Sequence, residues 1–218
     1  MIFLRQGLAH LRRHVRYNVF LIPVNDYTTE NSKITLMSQK ASDRIVWIDM
    51  EMTGLDPDRN KILEVACIIT DPNLKTVSEE LEMIIHQPDE ELDFMDSWNT
   101  HHHIKSGLIN SSRASTISTS EGESTLLSFL KRYVPQKTCP LAGNSVYVDR
   151  MFLHKQMPLV NEYLHYRIID VSSIKELVRR WNPALYEAAP QKIFNHRALN
   201  DIKETIKELE YYKKHMFQ

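Results

Sequence analysis

The run RIVWIDMEM (residues 44–52) combines two demands that few folds reconcile. Its β-branched and apolar residues, ending at Thr53-Gly54, describe a strand buried inside a sheet. Side chains in a strand alternate between faces, so Asp49 and Glu51 leave one face together while Met50 and Met52 pack on the other. Two adjacent buried carboxylates repel each other and are poorly solvated, so they require a positive partner. A divalent cation suits two hard oxygen donors. D-x-E alone is weak evidence: at ordinary usage it arises about once by chance in a chain of this size. For the isolated pair, an edge-strand end that simply reaches water is the more ordinary explanation.

The later elements suggest what surrounds this strand. KILEVACIIT (61–70) is a second strand after the turn-like DPDRN, and LKTVSEELEMIIHQ (74–87) alternates well enough to be a third. The polar stretch around DSWNTHHHIKSG suggests loop and short helices, with His101-His102-His103 in the loop. SEGESTLLSFLKRYV (120–134) has helical periodicity with acids near its start. CPLAG (139–143) is a short buried strand, and SVYVDRMFLHKQM (145–157) is a helix that ends at Pro158. HYRIIDV (165–171) is another strand, SSIKELVRRW (172–181) is a helix closed by Pro183, and residues 196–216 form a long amphipathic helix. An antiparallel meander succeeded by helices alternating with two further strands predicts an α/β domain with a mixed five-stranded sheet flanked by helices.

The charge balance divides the chain. Its 27 Lys and Arg and 28 Asp and Glu give a net charge of -1. Six of the basic and only two of the acidic residues fall in 1–42, leaving 21 and 26 in 43–218. No acid precedes Asp26, while Arg and Leu recur through MIFLRQGLAHLRRHVRY, the pattern of a mitochondrial transit peptide. A disordered basic tail is the alternative. Residues 25–42 are polar and resemble a linker, so residues 1–42 are expected to form a transit peptide and linker, and residues 43–218 the folded domain. Met37 offers an internal start for a second, untargeted product. No apolar run approaches the roughly 20 residues of a membrane helix. Cys67 and Cys139, far apart inside apolar runs, do not make a disulfide framework and point to a reducing compartment.

Three more residues join the first two acids. Asp149 lies early in the helix after CPLAG, and Asp201 lies one turn into the last helix, five residues after His196. Each acid has an ordinary explanation, Asp149 as a first-turn acid favoured by the helix dipole and Asp201 as a solvated helical acid. Together, four carboxylates at the ends of successive elements and one histidine are what phosphodiester cleavage by two cations, Mg²⁺ or Mn²⁺, requires. His196 is the candidate general base, because imidazole is half deprotonated near neutrality. The three consecutive histidines make a poor zinc site, since neighbours in sequence rarely point at one ion and no thiols lie nearby.

WIDMEMTGLDP (47–57), CPLAGNSVYVDRMFL (139–153), the stretch 157–181 and HRALNDI (196–202) together resemble the exonuclease superfamily, and within it the oligoribonucleases. The resemblance covers 43–216. It implies a ribonuclease H-like fold and 3′-to-5′ hydrolysis of very short RNA to nucleoside 5′-monophosphates. By the same resemblance Asp49, Glu51, Asp149 and Asp201 are the metal ligands and His196 the base. Leu55 and Trp98 match residues that wedge against and stack on bases, a contact that tolerates any sequence because every base has a π-face. Ser145, Arg167 and Ser172 match a cap on the 5′-phosphate, and Tyr166 matches a residue that reaches into a second subunit, implying a homodimer. Ordinary alternatives stand beside these: a packing tryptophan, a helix-start serine, a strand-end arginine, an N-cap serine and a tyrosine packed within its own strand. Asn200 stands where the family usually has a second acid before Asp201.

Two rivals remain at this level. A proofreading or repair DNA exonuclease shares the five catalytic positions without needing the Ser145–Arg167–Ser172 set. A silent nucleic-acid-binding module on the same fold is the other. The acidic balance of 43–218 favours short substrates, because a protein tracking long RNA gains affinity from a basic groove. No protein partner beyond a second copy is evident.

Overall fold

The computed structural model describes residues 41–193 and 196–217. The expected transit peptide and Met37 therefore lie outside the described residues. Five strands form one sheet in the order β3-β2-β1-β4-β5: β1 Ile45–Met52, β2 Ile62–Thr70, β3 Leu81–Ile84, β4 Leu141–Gly143 and β5 Ile168–Asp170. β1 to β3 form the expected antiparallel meander, and β4 and β5 add parallel on the other side of β1. The mixed sheet is thus as predicted, with β1 at its centre.

Alternation along β1 divides the core in two. Val46, Ile48, Met50 and Met52 face a layer built from α4 Thr119–Tyr133, α5 Tyr147–Gln156 and α6 Pro158–Tyr163, where Leu126, Phe129 and Phe152 are buried. Ile45 and Trp47 face α7 Val171–Trp181 and α9 Ala198–Met216, packing with Val178, Ile202, Leu209 and Tyr212. Each large side chain buried this way contributes roughly 1.5–3 kcal/mol. Asp49 and Glu51 share the parity of Ile45 and Trp47, so the central strand turns both carboxylates toward α9.

Helix boundaries follow their chemistry. α4 opens with a capping box: the Ser118 hydroxyl accepts the Glu121 amide and the Glu121 carboxylate accepts the Ser118 amide. Pro158 and Pro183 end one helix and occupy the first turn of another, so α6 and the short α8 Pro183–Glu187 start at prolines that sequence reading took only as stops. The polar stretch forms three short helices, α1 Asp89–Asp93, α2 Ser97–Lys105 and α3 Leu108–Ala114. The His101–His103 run is helical rather than a loop, because Asp96 caps α2 by accepting the Asn99 amide.

The third strand is shorter than expected. Leu74 takes a left-handed φ of 72° in a turn, and the Ser78 hydroxyl accepts the Ile69 amide. That side-chain bond replaces a rung of the ladder, so regular pairing is confined to Leu81–Ile84.

Candidate active site

The ends of β1 and α9 converge. Asp49 and Glu51 come from the strand and Asp201 from the first turn of α9, and one carboxylate oxygen from each lies within 4.8 Å of the others. Asp149, in the first turn of α5, approaches from the opposite side of β1, and its Oδ1 accepts the Met50 amide at 3.0 Å. The structure therefore brings three of the four predicted acids into one cluster. The fourth is tied to the strand backbone between them, near enough for its charge to act on Asp49.

The electrostatics of the group are unfavourable for the protein alone. Burial, then the charges of Asp149 and Glu51, push the Asp49 carboxyl well above its usual range. Burial, then the Asp201 charge, pushes Glu51 up to about 8. Burial is also the main reason that Asp149 rises to about 8 and Asp201 to about 6. Arg197 lowers Glu51, and Lys192 lowers Asp49 and Asp201, without offsetting the rise. Raised carboxylates converging on a small volume mark a site adapted to something cationic.

His196 precedes α9 in a left-handed conformation, φ 52°. Its ring meets that of His102 at 4.5 Å between centroids and the edge of Trp98 at 5.5 Å. The predicted base and the predicted stacking residue are thus neighbours, and Trp98 remains 58% exposed. Burial, then the charges of His102, His103 and Lys105, lowers the His196 pKa below its ordinary value. At neutral pH the imidazole is therefore an acceptor.

Two more residues join this site: Glu64, which escaped sequence reading, and His103, which sequence reading left in a loop without a role. Glu64, wholly buried on β2 and opposite Glu51 in the ladder, accepts Arg197 Nε and Nη2 at 3.0 and 2.7 Å and the Ala198 amide at 3.0 Å. It thereby caps α9 and fixes the residue next to His196. One acid inside the otherwise apolar ILEVACIIT was the available signal. His103, also buried, donates from Nε2 to the Met52 carbonyl at 2.9 Å. A carbonyl can only accept, so Nε2 carries a hydrogen; burial lowers the His103 pKa, and in the neutral ring Nδ1 turns its lone pair toward Glu51 Oε2 at 3.9 Å.

Leu55 is 71% exposed on a groove of about 710 Å³ that also meets Phe94 and Asp96. The Ser145 and Ser172 hydroxyls lie 3.2 Å apart, and the Ser145 amide donates to Ser172 Oγ and to Asp170 Oδ1. Arg167 is exposed and its guanidinium lies 5.5 Å from the Tyr166 ring centroid, while Tyr166 is itself largely exposed. The two serines are brought together, and Arg167 lies over Tyr166.

Residues 46–209 match the exonuclease family. The probable oligoribonuclease of Drosophila melanogaster is 49% identical over 212 residues, covering 97% of this chain and 100% of that protein. The mitochondrial oligoribonuclease of Homo sapiens is 51% identical over 180 residues, 83% of this chain and 76% of its own. The oligoribonuclease of Halorhodospira halophila is 50% identical over 170 residues, 78% and 92% respectively. Among solved structures, the zinc-bound E. coli ExoI–ssDNA complex superposes with a TM-score of 0.64 at 17% identity, over 81% of this chain and 41% of that one. The chain spans about two fifths of the length of that nuclease, and the likeness is one of fold. With identity near one half along almost its whole length to a protein of equal extent, the chain belongs to the oligoribonucleases of the exonuclease family.

Proposed function

We propose that the chain is a 3′-to-5′ exoribonuclease that hydrolyses very short RNA, dinucleotides above all, to nucleoside 5′-monophosphates. The observation that carries this reading is the convergence of Asp49, Glu51 and Asp201 oxygens within 4.8 Å, beside Asp149. Hard oxygen donors without a thiol suit Mg²⁺ or Mn²⁺, and the raised carboxyl pKa values support a doubly charged partner. Asp49, Glu51, Asp149 and Asp201 would hold two such ions. When bound, they supply Lewis-acid stabilisation of the phosphoryl oxygens and a more acidic attacking water.

The chain's own groups perform the rest. His196, kept neutral near pH 7, takes a proton from the attacking water. Water oxygen bonds to phosphorus and the P–O3′ bond breaks. The upstream ribose takes a proton as its 3′-hydroxyl, and the 3′-terminal residue leaves as a 5′-monophosphate. Leu55 and Trp98, both exposed near the site, would hold the bases. Ser145, Ser172 and Arg167 would hold the 5′-phosphate by charge-assisted hydrogen bonds. Exposure of Tyr166 supports its reach into a second copy, in a homodimer. The mitochondrial relatives of mouse, human and cow, with the arginine-rich start, support action in mitochondria.

The test compares hydrolysis of a 5′-phosphorylated RNA dinucleotide and a long RNA strand with Mg²⁺, using wild type and His196→Ala. Fast dinucleotide cleavage, slow cleavage of the long strand and an inactive variant are expected. Preference for the long strand would overturn the phosphate cap.

A further inference from the structure

Thr205, on α9 one turn after Asp201, is 2% exposed and makes every hydrogen bond a hydroxyl can make. It donates to the Asp201 carbonyl at 2.7 Å and accepts from Asn144 Nδ2 at 2.9 Å and Lys192 Nζ at 3.2 Å. One proton and two lone pairs are all used.

Each arm leads to a different part of the site. Asn144 sits between β4 and Ser145, and its Oδ1 accepts the Ser172 hydroxyl at 3.3 Å. Ser172 Oγ in turn accepts the Ser145 amide at 2.8 Å, which helps hold Ser145 at its left-handed φ of 48°. Lys192 lies four residues before His196 and also pairs with the buried Glu208 at 2.8 Å. The carbonyl arm ends on Asp201, a member of the carboxylate cluster. A single side chain thus spans the serine pair, Lys192 and the backbone of a candidate metal ligand. These parts come from separate elements: the segments after β4 and β5, the segment before α9, and α9 itself.

We propose that Thr205 is a positioning residue that fixes the distance between the Ser145–Ser172 pair and the Asp201–His196 end of the site, and so makes turnover depend on a 5′-phosphate one nucleotide away. This rests on the proposed reading in which the serine pair holds that phosphate. A substrate gripped at both ends gains rate only if the two grips are correctly spaced, because misplacement of the reacting atoms by about 1 Å costs on the order of 100-fold. Loosening the link therefore removes the advantage of the phosphate more than it removes the chemistry.

The experiment measures kcat and KM with 5′-phosphorylated and 5′-hydroxyl RNA dinucleotides for wild type, Thr205→Val, Thr205→Ser, Asn144→Ala and Ser172→Ala. Thr205→Val keeps the shape and removes all three bonds. It is expected to cut the kcat ratio of phosphorylated to hydroxyl substrate about tenfold, the usual scale of coupling between two sites. Thr205→Ser, which restores the hydroxyl, is expected to restore the ratio. Asn144→Ala cuts only the serine arm, should lower the ratio likewise, and keeps the test alive if Thr205→Val does not fold. Equal losses on both substrates would make Thr205 merely structural and overturn the proposal, as would an unchanged ratio in Thr205→Val and Asn144→Ala. Ser172→Ala separates the two levels: if it leaves the ratio intact, the phosphate reading itself has failed, and the link falls with it.

Discussion

Removal of divalent cations should make the stability of this protein fall steeply as pH rises through neutrality. Glu51 sits in the folded chain with a pKa of about 8, against an ordinary 4.5, chiefly because it is buried. The native state therefore holds a proton that the unfolded chain has released, over the whole interval from about 4.5 to about 8. Stability falls wherever the native state binds more protons, at about 1.36 kcal/mol per pH unit for one group. Between pH 5 and pH 8 the share of Glu51 is on the order of 4 kcal/mol. Asp149 rises to the same region, so Glu51 alone sets a lower estimate. For a chain of this size 1 kcal/mol moves the melting temperature by about 2–4 °C, so Tm in EDTA should drop by at least about 8 °C across that range.

Excess Mg²⁺ or Mn²⁺ should reverse the trend, because a ligand that binds only the ionised native cluster stabilises by mass action. Thermal melts at pH 5, 6, 7 and 8, with EDTA and with the metal, test both statements. Glu51→Gln removes one of the titrating groups and should make the EDTA curve shallower while weakening the metal effect. A Tm in EDTA that is flat or rises from pH 5 to pH 8 would refute the assignment of protons to the cluster. So would a Glu51→Gln slope equal to wild type.

Three further outcomes are expected. His196→Ala should lower kcat by about 10²- to 10⁴-fold with little change in KM, the usual scale for a general base. Because burial lowers the His196 pKa, the acid limb of wild-type kcat/KM should fall off below about pH 6.5, and a midpoint above that would count against the assignment. Glu64→Ala leaves the Ala198 amide without its acceptor and the Arg197 guanidinium with only the longer contact to Glu82 at 3.4 Å, and should cost about 3 kcal/mol by urea unfolding. That figure is the low end of the range for broken buried pairs, since Arg197 is 31% exposed. Trp98→Ala should raise KM for RNA dinucleotides by the equivalent of about 1–3 kcal/mol if the ring stacks on a base, with Tm unchanged.

What sequence could foresee here divides by the range of the physics involved. The parity of RIVWIDMEM is local, and it placed Asp49 and Glu51 on one face and Met50 and Met52 on the other, as the structure has them. The five-residue step from His196 to Asp201 is equally local, and both stand at the entrance of α9. Prolines at 158 and 183 read correctly as ends, but a proline is also a favoured first residue, and that second meaning depends on whether the residues after it can carry a helix. The strand expected over 74–87 shortened because one serine hydroxyl, nine residues from its partner amide, replaced a backbone rung. The Glu64–Arg197 pair was beyond reach for a different reason. Its members are 133 residues apart, and nothing joins them until strand pairing sets Glu64 opposite Glu51 and the start of α9 brings Arg197 to it. A lone acid in an apolar strand announces a partner without naming it. The sheet register decides which cation arrives, and here the cation that arrives is the neighbour of the candidate base.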